Sequence, residues 1–339
     1  MPTIMQSIQT RFANHWGQPL NRQRRFALLM GMAALVAACG PDQSPQAEAD
    51  LASADVETDQ VIQHAFGETA VPANPARIIV LGYTLVETVV ALGVQPIGAP
   101  GIILNEMTYL ELDQDAIADV GTPERPNLER ITTLNPDLIL TTERLGGESY
   151  PLLSQIAPTV AFDIDERLEW RALTRLCAEA LGKQDVAAKL SADYEAKLAQ
   201  LKSQAPQHLE AITASIIFLT PGRIRTMGKA TFPGTVLADA ELSRPPTQAE
   251  GPGLMNISLE ALDEIDGDVM FILTPQSETE MAAGVRAEID RTQASPLWPQ
   301  LQAVQTDQVY EVGPYWGLGS YIAANLILDD LLTYLTPAG

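Results

Sequence analysis

Three arginines and three aromatic residues stand where the sequence predicts that strands end. They are Tyr83, Arg144, Arg223, Arg225, Tyr315 and Trp316. Guanidinium groups bind carboxylate or catecholate oxygens through paired hydrogen bonds, and aromatic rings cover the apolar parts of a bulky ligand. The set therefore predicts a binding site for a bulky anionic chelate. We expect only one of Arg223 and Arg225 to line this site.

Several of these residues also have a packing or surface alternative. Arg144 and Arg225 would form surface ion pairs in so acidic a chain, and Trp316 would be buried beneath the last helix. The formal net charge of -22 repels an anion at long range. The arginines would supply the local positive charge that counteracts this repulsion at the site. The same net negative charge excludes nucleic acid as a partner, because no basic stripe is present.

The usual catalytic and metal-binding patterns do not occur in this sequence. It has no GxSxG, HExxH or P-loop pattern, and Cys177 lies in an apolar helical run where a buried thiol is expected. Beyond the N-terminal segment only His64 and His208 remain, which excludes a histidine cluster for a metal ion. Gly317 and Gly319 precede a helix but lack the third glycine of a dinucleotide loop. We expect a binding protein and not an enzyme.

Short apolar runs alternate with helical patterns and must position the candidate residues. Strands are predicted at residues 77–82, 137–142, 158–164, 214–220, 268–274 and 308–312. This alternation predicts an α/β fold with mostly parallel central sheets, in which ligands bind beyond the carboxyl ends of the strands. Residues 185–205 are predicted to form a single helix about 30 Å long. It would join an N-terminal lobe at residues 59–184 to a C-terminal lobe at residues 206–339.

An ungapped internal repeat pairs residues 127–140 with residues 258–271. In each copy a capping residue, Asn127 or Ser258, is predicted to open a short helix that leads into an apolar strand. Glu129 and Glu260 occupy the same exposed position in the first turn. The two acids either stabilise the helix dipoles or form docking points for a two-fold partner, and the spacing alone leaves both open.

The N-terminal segment has the pattern of an export signal. Residues 1–38 are basic and then apolar, and the VAAC sequence that ends at Cys39 resembles the lipobox of bacterial lipoproteins. We expect Cys39 to be lipidated and residues 39–58 to form a flexible acidic tether. A cut elsewhere remains the alternative, and the Arg24-Arg25 pair leaves the export route open between the general and the twin-arginine pathway.

In this order the motifs resemble the substrate-binding proteins of iron-siderophore and vitamin B12 ABC importers. The matching stretches are residues 77–98, 120–140, 256–273 and 297–335, within about residues 60–336. The resemblance implies two α/β lobes joined by one long helix, with the ligand in the cleft between them. It also implies that Glu129 and Glu260 dock on a membrane permease that a cytoplasmic ATPase powers.

The resemblance further implies a ferric siderophore as ligand, with no cofactor and no metal ion coordinated directly by the protein. The protein is expected to be a monomer in the periplasm or on the cell surface, attached to a membrane only through its lipid anchor. Cobalamin is neutral and would not conflict with the acidic charge, and haem would use Tyr83, Met107 or Met227. An irregular insert at residues 99–118 is expected to cover the cleft. A ligand-sensing lipoprotein remains the alternative role, and the class of siderophore (citrate, hydroxamate or catecholate) stays open.

Overall fold

The computed structural model describes residues 60–336, apart from residues 111, 166–168, 206–208, 252 and 276–278. The predicted signal segment at residues 1–38, the lipidation site Cys39 and the tether at residues 39–58 lie outside the described residues. The described residues fall within one unit of the chain, Asp55–Gly339.

The described residues form strands and helices in a mixed order. In chain order the strands are β1 (Gln60–His64), β2 (Gly67–Val71), β3 (Ile78–Leu81), β4 (Gly98–Ala99), β5 (Ala118–Asp119), β6 (Gly121–Thr122), β7 (Arg125–Pro126), β8 (Leu138–Thr142), β9 (Thr159–Phe162), β10 (Ala214–Thr220), β11 (Arg223–Met227), β12 (Leu254–Ile257), β13 (Val269–Leu273) and β14 (Val309–Val312). The α-helices are α1 (Tyr83–Ala91), α2 (Gly101–Leu104), α3 (Leu128–Leu134), α4 (Glu143–Gly146), α5 (Tyr150–Leu153), α6 (Trp170–Leu181), α7 (Gln184–Gln204), α8 (Phe232–Asp239), α9 (Pro246–Glu250), α10 (Glu280–Gln293), α11 (Gln302–Gln305) and α12 (Tyr321–Leu335). Short 3-10 helices occupy Gln114–Ala116, Gly147–Ser149, Leu209–Ala211, Leu259–Ile265, Trp298–Gln300 and Pro314–Gly317.

The N-terminal lobe is built on a parallel sheet with the strand order β5-β4-β3-β8-β9. The residues of β3 are fully buried because helices cover both faces of the sheet. Ile78 and Val80 face one apolar core, and Ile79 and Leu81 face a second core on the opposite side. This period of two explains why the sequence shows an uninterrupted apolar run here.

The C-terminal lobe contains a mixed sheet with the order β12-β11-β10-β13-β14. Strands β10, β13 and β14 are parallel, whereas β11 and β12 extend the sheet in antiparallel fashion. The prediction of an α/β fold with two lobes and mostly parallel sheets is confirmed. The strands β11 and β12 of the antiparallel extension were not among the predicted strands.

Helix α7 (Gln184–Gln204) joins the two lobes, within one residue of the prediction at each end. Its buried side chains Tyr194, Leu198 and Leu201 recur at helical spacing and pack on the C-terminal core. The Tyr194 hydroxyl donates to Asp239 over 2.7 Å, and Lys197 forms an ion pair with Asp329 of α12 at 2.8 Å. The second half of the helix is therefore attached to the C-terminal lobe, whereas Val186 and Ala187 near its start pack on the N-terminal core.

The insert at residues 99–118 contains α2, a 3-10 turn and connecting loops. Met107 and Leu110 anchor it in the N-terminal core. Its Tyr109 packs against the cores of both lobes, and the Tyr109 ring meets the ring of Tyr315 edge-on at 5.6 Å. The insert thus bridges the lobes. Among the described residues no helix is both long and apolar enough to cross a membrane.

Candidate functional site

On the N-terminal lobe, Tyr83 and Arg144 follow the carboxyl ends of two neighbouring parallel strands. Strands β3 and β8 pair with Leu81 opposite Thr141, and the Thr141 hydroxyl donates to the Leu81 carbonyl oxygen over 2.9 Å. Tyr83 begins α1 and is half-buried against the lobe core, whereas Arg144 is exposed on α4. Both predicted residues therefore lie at the edge of the sheet where ligands bind.

On the C-terminal lobe, Arg223 and Arg225 follow the tight turn after β10. Gly222 has a φ of +75°, a left-handed conformation that glycine adopts without strain, and it brings the chain back as β11. Arg223 pairs with Thr220 at the edge of the sheet, and Arg225 pairs with Phe218. Phe218 packs on the core that contains Tyr315, so Arg225 lies on the same face of the sheet.

Only one of Arg223 and Arg225 was expected to line the site, but the structure places both on the same face of β11. Positions two apart on a strand share a face, and Arg223 and Arg225 are such a pair on β11. Within the part of the chain that the structure describes, neither arginine takes part in an ion pair. The surface ion pair that was the alternative for Arg225 is therefore not formed there.

Tyr315 and Trp316 form one hydrogen-bonded group with Asp330 of α12. The Tyr315 hydroxyl and the Trp316 Nε1 both donate to Asp330 Oδ2, over 2.8 and 2.7 Å. Trp316 is fully buried and stacks on Phe271 with the ring centroids 4.6 Å apart, whereas Tyr315 keeps 7% of its surface exposed. Trp316 is thus buried, which was the alternative to its contact with a ligand. The prediction that it contacts a ligand directly needs correction, because its side chain presents no surface.

Burial also affects the ionisation of Asp330. Removal from water raises its pKa to about 6, although the hydrogen bonds from Trp316 and Tyr315 act in the opposite direction. The two aromatic side chains are therefore held in place by a carboxyl whose charge is costly to bury.

A second buried acid, Glu87 on α1, lies where the two lobes meet. Burial raises its pKa to about 8, opposed by hydrogen bonds from Tyr109 and from Ser320, the N-cap residue of α12. The Tyr109 hydroxyl donates to Glu87 Oε1 over 3.1 Å. This group was not predicted from the sequence, yet the acids inside the apolar helices α1 and α12 were a usable signal for Glu87 and for Asp330, which follows Asp329. No comparable signal marked Tyr109.

Glu129 and Glu260 occupy equivalent positions but sit in different local structures. Glu129 is exposed in the first turn of α3, where the Asn127 side chain caps the helix by accepting from the Arg130 N–H over 2.9 Å. Glu260 is exposed in the 3-10 helix Leu259–Ile265, and Ser258 makes no capping hydrogen bond to its backbone. The expected α-helical cap was therefore right for the first copy of the repeat and wrong for the second. Hydrogen bonding from Ser258 lowers the pKa of Glu260 instead.

An open polar pocket of about 490 Å³ surrounds Glu260. It is lined by Gly222, Arg223, Ile224, Asn256, Ile257, Ser258, Leu259, Glu260 and Arg291. The structure thus brings Arg223, predicted to bind ligand, beside Glu260, predicted to dock on a partner.

Two methionines considered as haem ligands fill core positions. Met107 is fully buried in the N-terminal core, and Met227 is 6% exposed at the end of β11. Because β11 runs antiparallel to β10, Met227 lies away from the edge that carries Arg223. In the described ranges, no group of three or more His, Cys, Asp or Glu residues is arranged to hold a metal ion.

The family of the chain follows from a match that covers most of this architecture. A family model described as "Periplasmic binding protein" matches residues 78–315, which run from β3 to Tyr315. The chain belongs to the periplasmic binding protein family. Members of this family bind and present ligands, so the protein is a binding protein and not an enzyme.

Relatives of this periplasmic binding protein carry names that refer to the molecules that they bind. It is 30% identical over 321 residues to the "Probable siderophore-binding lipoprotein YfiY" of Bacillus subtilis, covering 91% of this chain and 96% of that protein. It is 31% identical over 274 residues to the "Achromobactin-binding periplasmic protein" of Dickeya dadantii, covering 78% and 88% of the two chains.

A solved structure has the same architecture as this periplasmic binding protein. Staphylococcus aureus SirA complexed with staphyloferrin B superposes with a TM-score of 0.70 and 28% identity, covering 81% of this chain and 98% of that chain. The fold is therefore shared with a protein crystallised with staphyloferrin B bound.

Proposed function

We propose that this protein captures a ferric siderophore in the cleft between its lobes and delivers it to the permease of an ABC importer for iron uptake. The observation that carries the proposal is the pair Arg223 and Arg225. They lie on one face of β11 next to the carboxyl end of β10, without ion pairs to other described residues, in a chain of net charge -22. Cations left unpaired among so many acids are available to an anionic ligand.

The ligand would contact residues from both lobes. Tyr83 and Arg144 would approach it from the N-terminal lobe, and Arg223, Arg225 and Tyr315 from the C-terminal lobe. Trp316 contributes to this site by fixing Tyr315 through their shared hydrogen bonds to Asp330. Relatives named for siderophores and for ferric citrate support an iron chelate as the ligand class.

Delivery would depend on the exposed acids of the two lobes. Glu129 and Glu260 would each bind a cationic group of the permease, one from each lobe. Lipidation of Cys39 would keep the monomeric protein outside the cytoplasm and tethered to a membrane by its flexible segment. The name "lipoprotein" of the Bacillus relative supports this anchor. A cytoplasmic ATPase would power import.

Tryptophan fluorescence of the purified protein tests the ligand. We expect saturable quenching by one member of a panel containing ferric citrate, a ferric hydroxamate, a ferric catecholate, cobalamin and haem. Arg225→Met should weaken that binding about tenfold to a hundredfold, because a charge-assisted hydrogen bond contributes about 1.5–3 kcal/mol. The matched control is Arg175→Met, an exposed arginine on α6. A response to cobalamin or haem alone would replace the proposed ligand, and silence across the panel would overturn the proposal.

A further inference from the structure

Glu288 is a buried acid on α10 that neither the ligand site nor the docking residues account for. It is 4% exposed, and both of its carboxylate oxygens are occupied. Oε2 accepts from the backbone N–H of Gly222 over 3.1 Å, and Oε1 accepts from Arg291 Nε over 3.0 Å. A second nitrogen of Arg291, Nη2, also donates to Oε1. Glu288 therefore holds both the turn before Arg223 and the side chain of Arg291.

Arg291 has two acidic neighbours, Glu288 and Glu260. It lines the same pocket as Glu260, and its positive charge helps to lower the pKa of Glu260. In the described structure, however, Arg291 forms its ion pair with Glu288 and none with Glu260. The guanidinium is half-exposed, with 53% of its side-chain surface accessible, so rotation towards Glu260 meets little packing resistance. Of the two acids, Arg291 therefore neutralises the buried Glu288.

The turn that Glu288 holds is packed tightly against α10. Gly284 lies one helical turn before Glu288, and a Cβ atom on Gly284 would meet Pro221 Cγ at 2.7 Å. The helix and the turn thus fit closely, which keeps the Glu288 carboxylate in a fixed position between Gly222 and Arg291. The N-terminal docking candidate Glu129 has no equivalent arrangement among its described neighbours, since its helix is capped by Asn127 alone.

We propose that Glu288 is a positioning residue for Glu260: by binding Arg291, it prevents Arg291 from pairing with Glu260 and leaves that carboxylate to a cationic group of the permease. The inference rests on the proposed docking role of Glu260. Without the carboxylate of Glu288, Arg291 turns to the nearest remaining acid in the pocket and competes with the permease for Glu260. The strength of docking at the C-terminal lobe is then set by a residue that does not touch the partner.

The titration of the Glu260 carboxyl in the full chain, followed by carbon-13 NMR, tests this without the permease. Glu288→Gln should lower the Glu260 titration midpoint below the wild-type value, and Glu288→Ala, which removes both acceptors, should lower it further. Adding Arg291→Met to either variant should return the midpoint to the wild-type value or above it. Glu311→Gln is the matched control, because Glu311 pairs with Arg286 of the same helix at 2.6 Å and should leave Glu260 unchanged. An unchanged midpoint in both Glu288 variants would overturn the proposal.

Affinity for the importer complex in lipid nanodiscs tests the consequence. Glu288→Gln should weaken docking about threefold to tenfold, as expected for the loss of one ion pair at an interface. The double variant Glu288→Gln with Arg291→Met should restore wild-type affinity, whereas a general loss of structure would not be rescued by a second substitution. Failure of that rescue would overturn the positioning role. If Glu260→Gln leaves affinity unchanged, the docking role of Glu260 itself fails, whatever the titration shows.

Discussion

The Tyr109 hydroxyl donates a hydrogen bond of 3.1 Å to the carboxyl of Glu87, which is fully buried where the two lobes meet. Tyr109 belongs to the insert at residues 99–118, and its ring packs edge-on against Tyr315 of the C-terminal lobe. Ser320, the N-cap residue of α12, is a second neighbour that acts to lower the pKa of Glu87. One acid of the N-terminal lobe therefore connects the insert to the start of the last helix.

This arrangement predicts a dependence of stability on pH that Glu87→Gln removes. Burial raises the pKa of Glu87 to about 8 from a usual value of 4.5. Between these two pH values the folded protein binds a proton that the unfolded chain does not, so the free energy of unfolding falls as the pH rises, by up to about 1.4 kcal/mol per pH unit. Glu87→Gln should match the wild type near pH 4.5 and be more stable at pH 8.

Urea denaturation at several pH values between 4.5 and 8 measures this difference. Glu195→Gln on the exposed side of α7 is the control, and its stability should follow the wild type at each pH. Parallel curves for Glu87→Gln and the wild type would show that Glu87 is ionised normally in the folded protein.

Tyr109→Phe should destabilise the protein while keeping the ring contact between the lobes. The substitution removes the hydroxyl that donates to Glu87, and a buried acceptor left without its donor costs about 1–3 kcal/mol. Tyr310→Phe is a suitable comparison, because its hydroxyl donates to Gln308 over 2.9 Å at a half-buried position. Urea denaturation at pH 6 should show the larger loss for Tyr109→Phe. Equal losses would mean that the bond to Glu87 adds nothing to the stability of the interface.

The strands of both sheet centres could be predicted from the sequence because their residues are buried on both faces. Residues 77–82 and 268–274 are continuous apolar runs, and the structure places β3 and β13 within them. The antiparallel strands β11 and β12 could not be predicted in the same way. Neither strand is a run of buried apolar residues, and their pairing with each other depends on contacts distant in sequence.

The positions of the candidate residues in the fold were more predictable than their surroundings. Tyr83, Arg144 and Arg223 follow strand ends in the structure as the sequence indicates, and their contact with a ligand stays a prediction. Sequence could not tell that Trp316 is buried, because its burial depends on Asp330 and Phe271, which come from other elements. Glu288 and Arg291 are three residues apart, a spacing that allows an ion pair on one helix. The bond of Glu288 to Gly222 could not be predicted in this way, since it depends on how α10 packs against the turn.

Trp316→Phe should affect stability more than ligand affinity. The change removes the hydrogen bond from Nε1 to buried Asp330 and part of the stacking on Phe271, at a cost of about 1–3 kcal/mol. Because the side chain presents no surface, affinity for the ferric chelate should change less than in Arg225→Met. Isothermal titration calorimetry of both variants measures this. A loss of affinity in Trp316→Phe equal to that in Arg225→Met would indicate direct contact with the ligand.

Charge reversal at Glu129 and Glu260 should separate ligand capture from delivery. Both side chains are exposed and stand in the first turns of equivalent helices on different lobes. Replacing either with Lys places a cation against the cationic group proposed on the permease, and like charges across an interface cost several kcal/mol. Uptake of the iron-55 chelate by cells should fall strongly in each single variant and further in the double variant.

Two measurements make this separation decisive. The affinity of the purified Glu129→Lys and Glu260→Lys proteins for the chelate should equal that of the wild type, because neither residue lies among the proposed ligand contacts. Glu195→Lys, an exposed acid on α7, controls for the change in net charge and should leave uptake unaffected. Unimpaired uptake in the double variant would show that delivery does not depend on these two acids. The alternative role would then apply, in which the protein binds the chelate in the same cleft and signals to a membrane receptor.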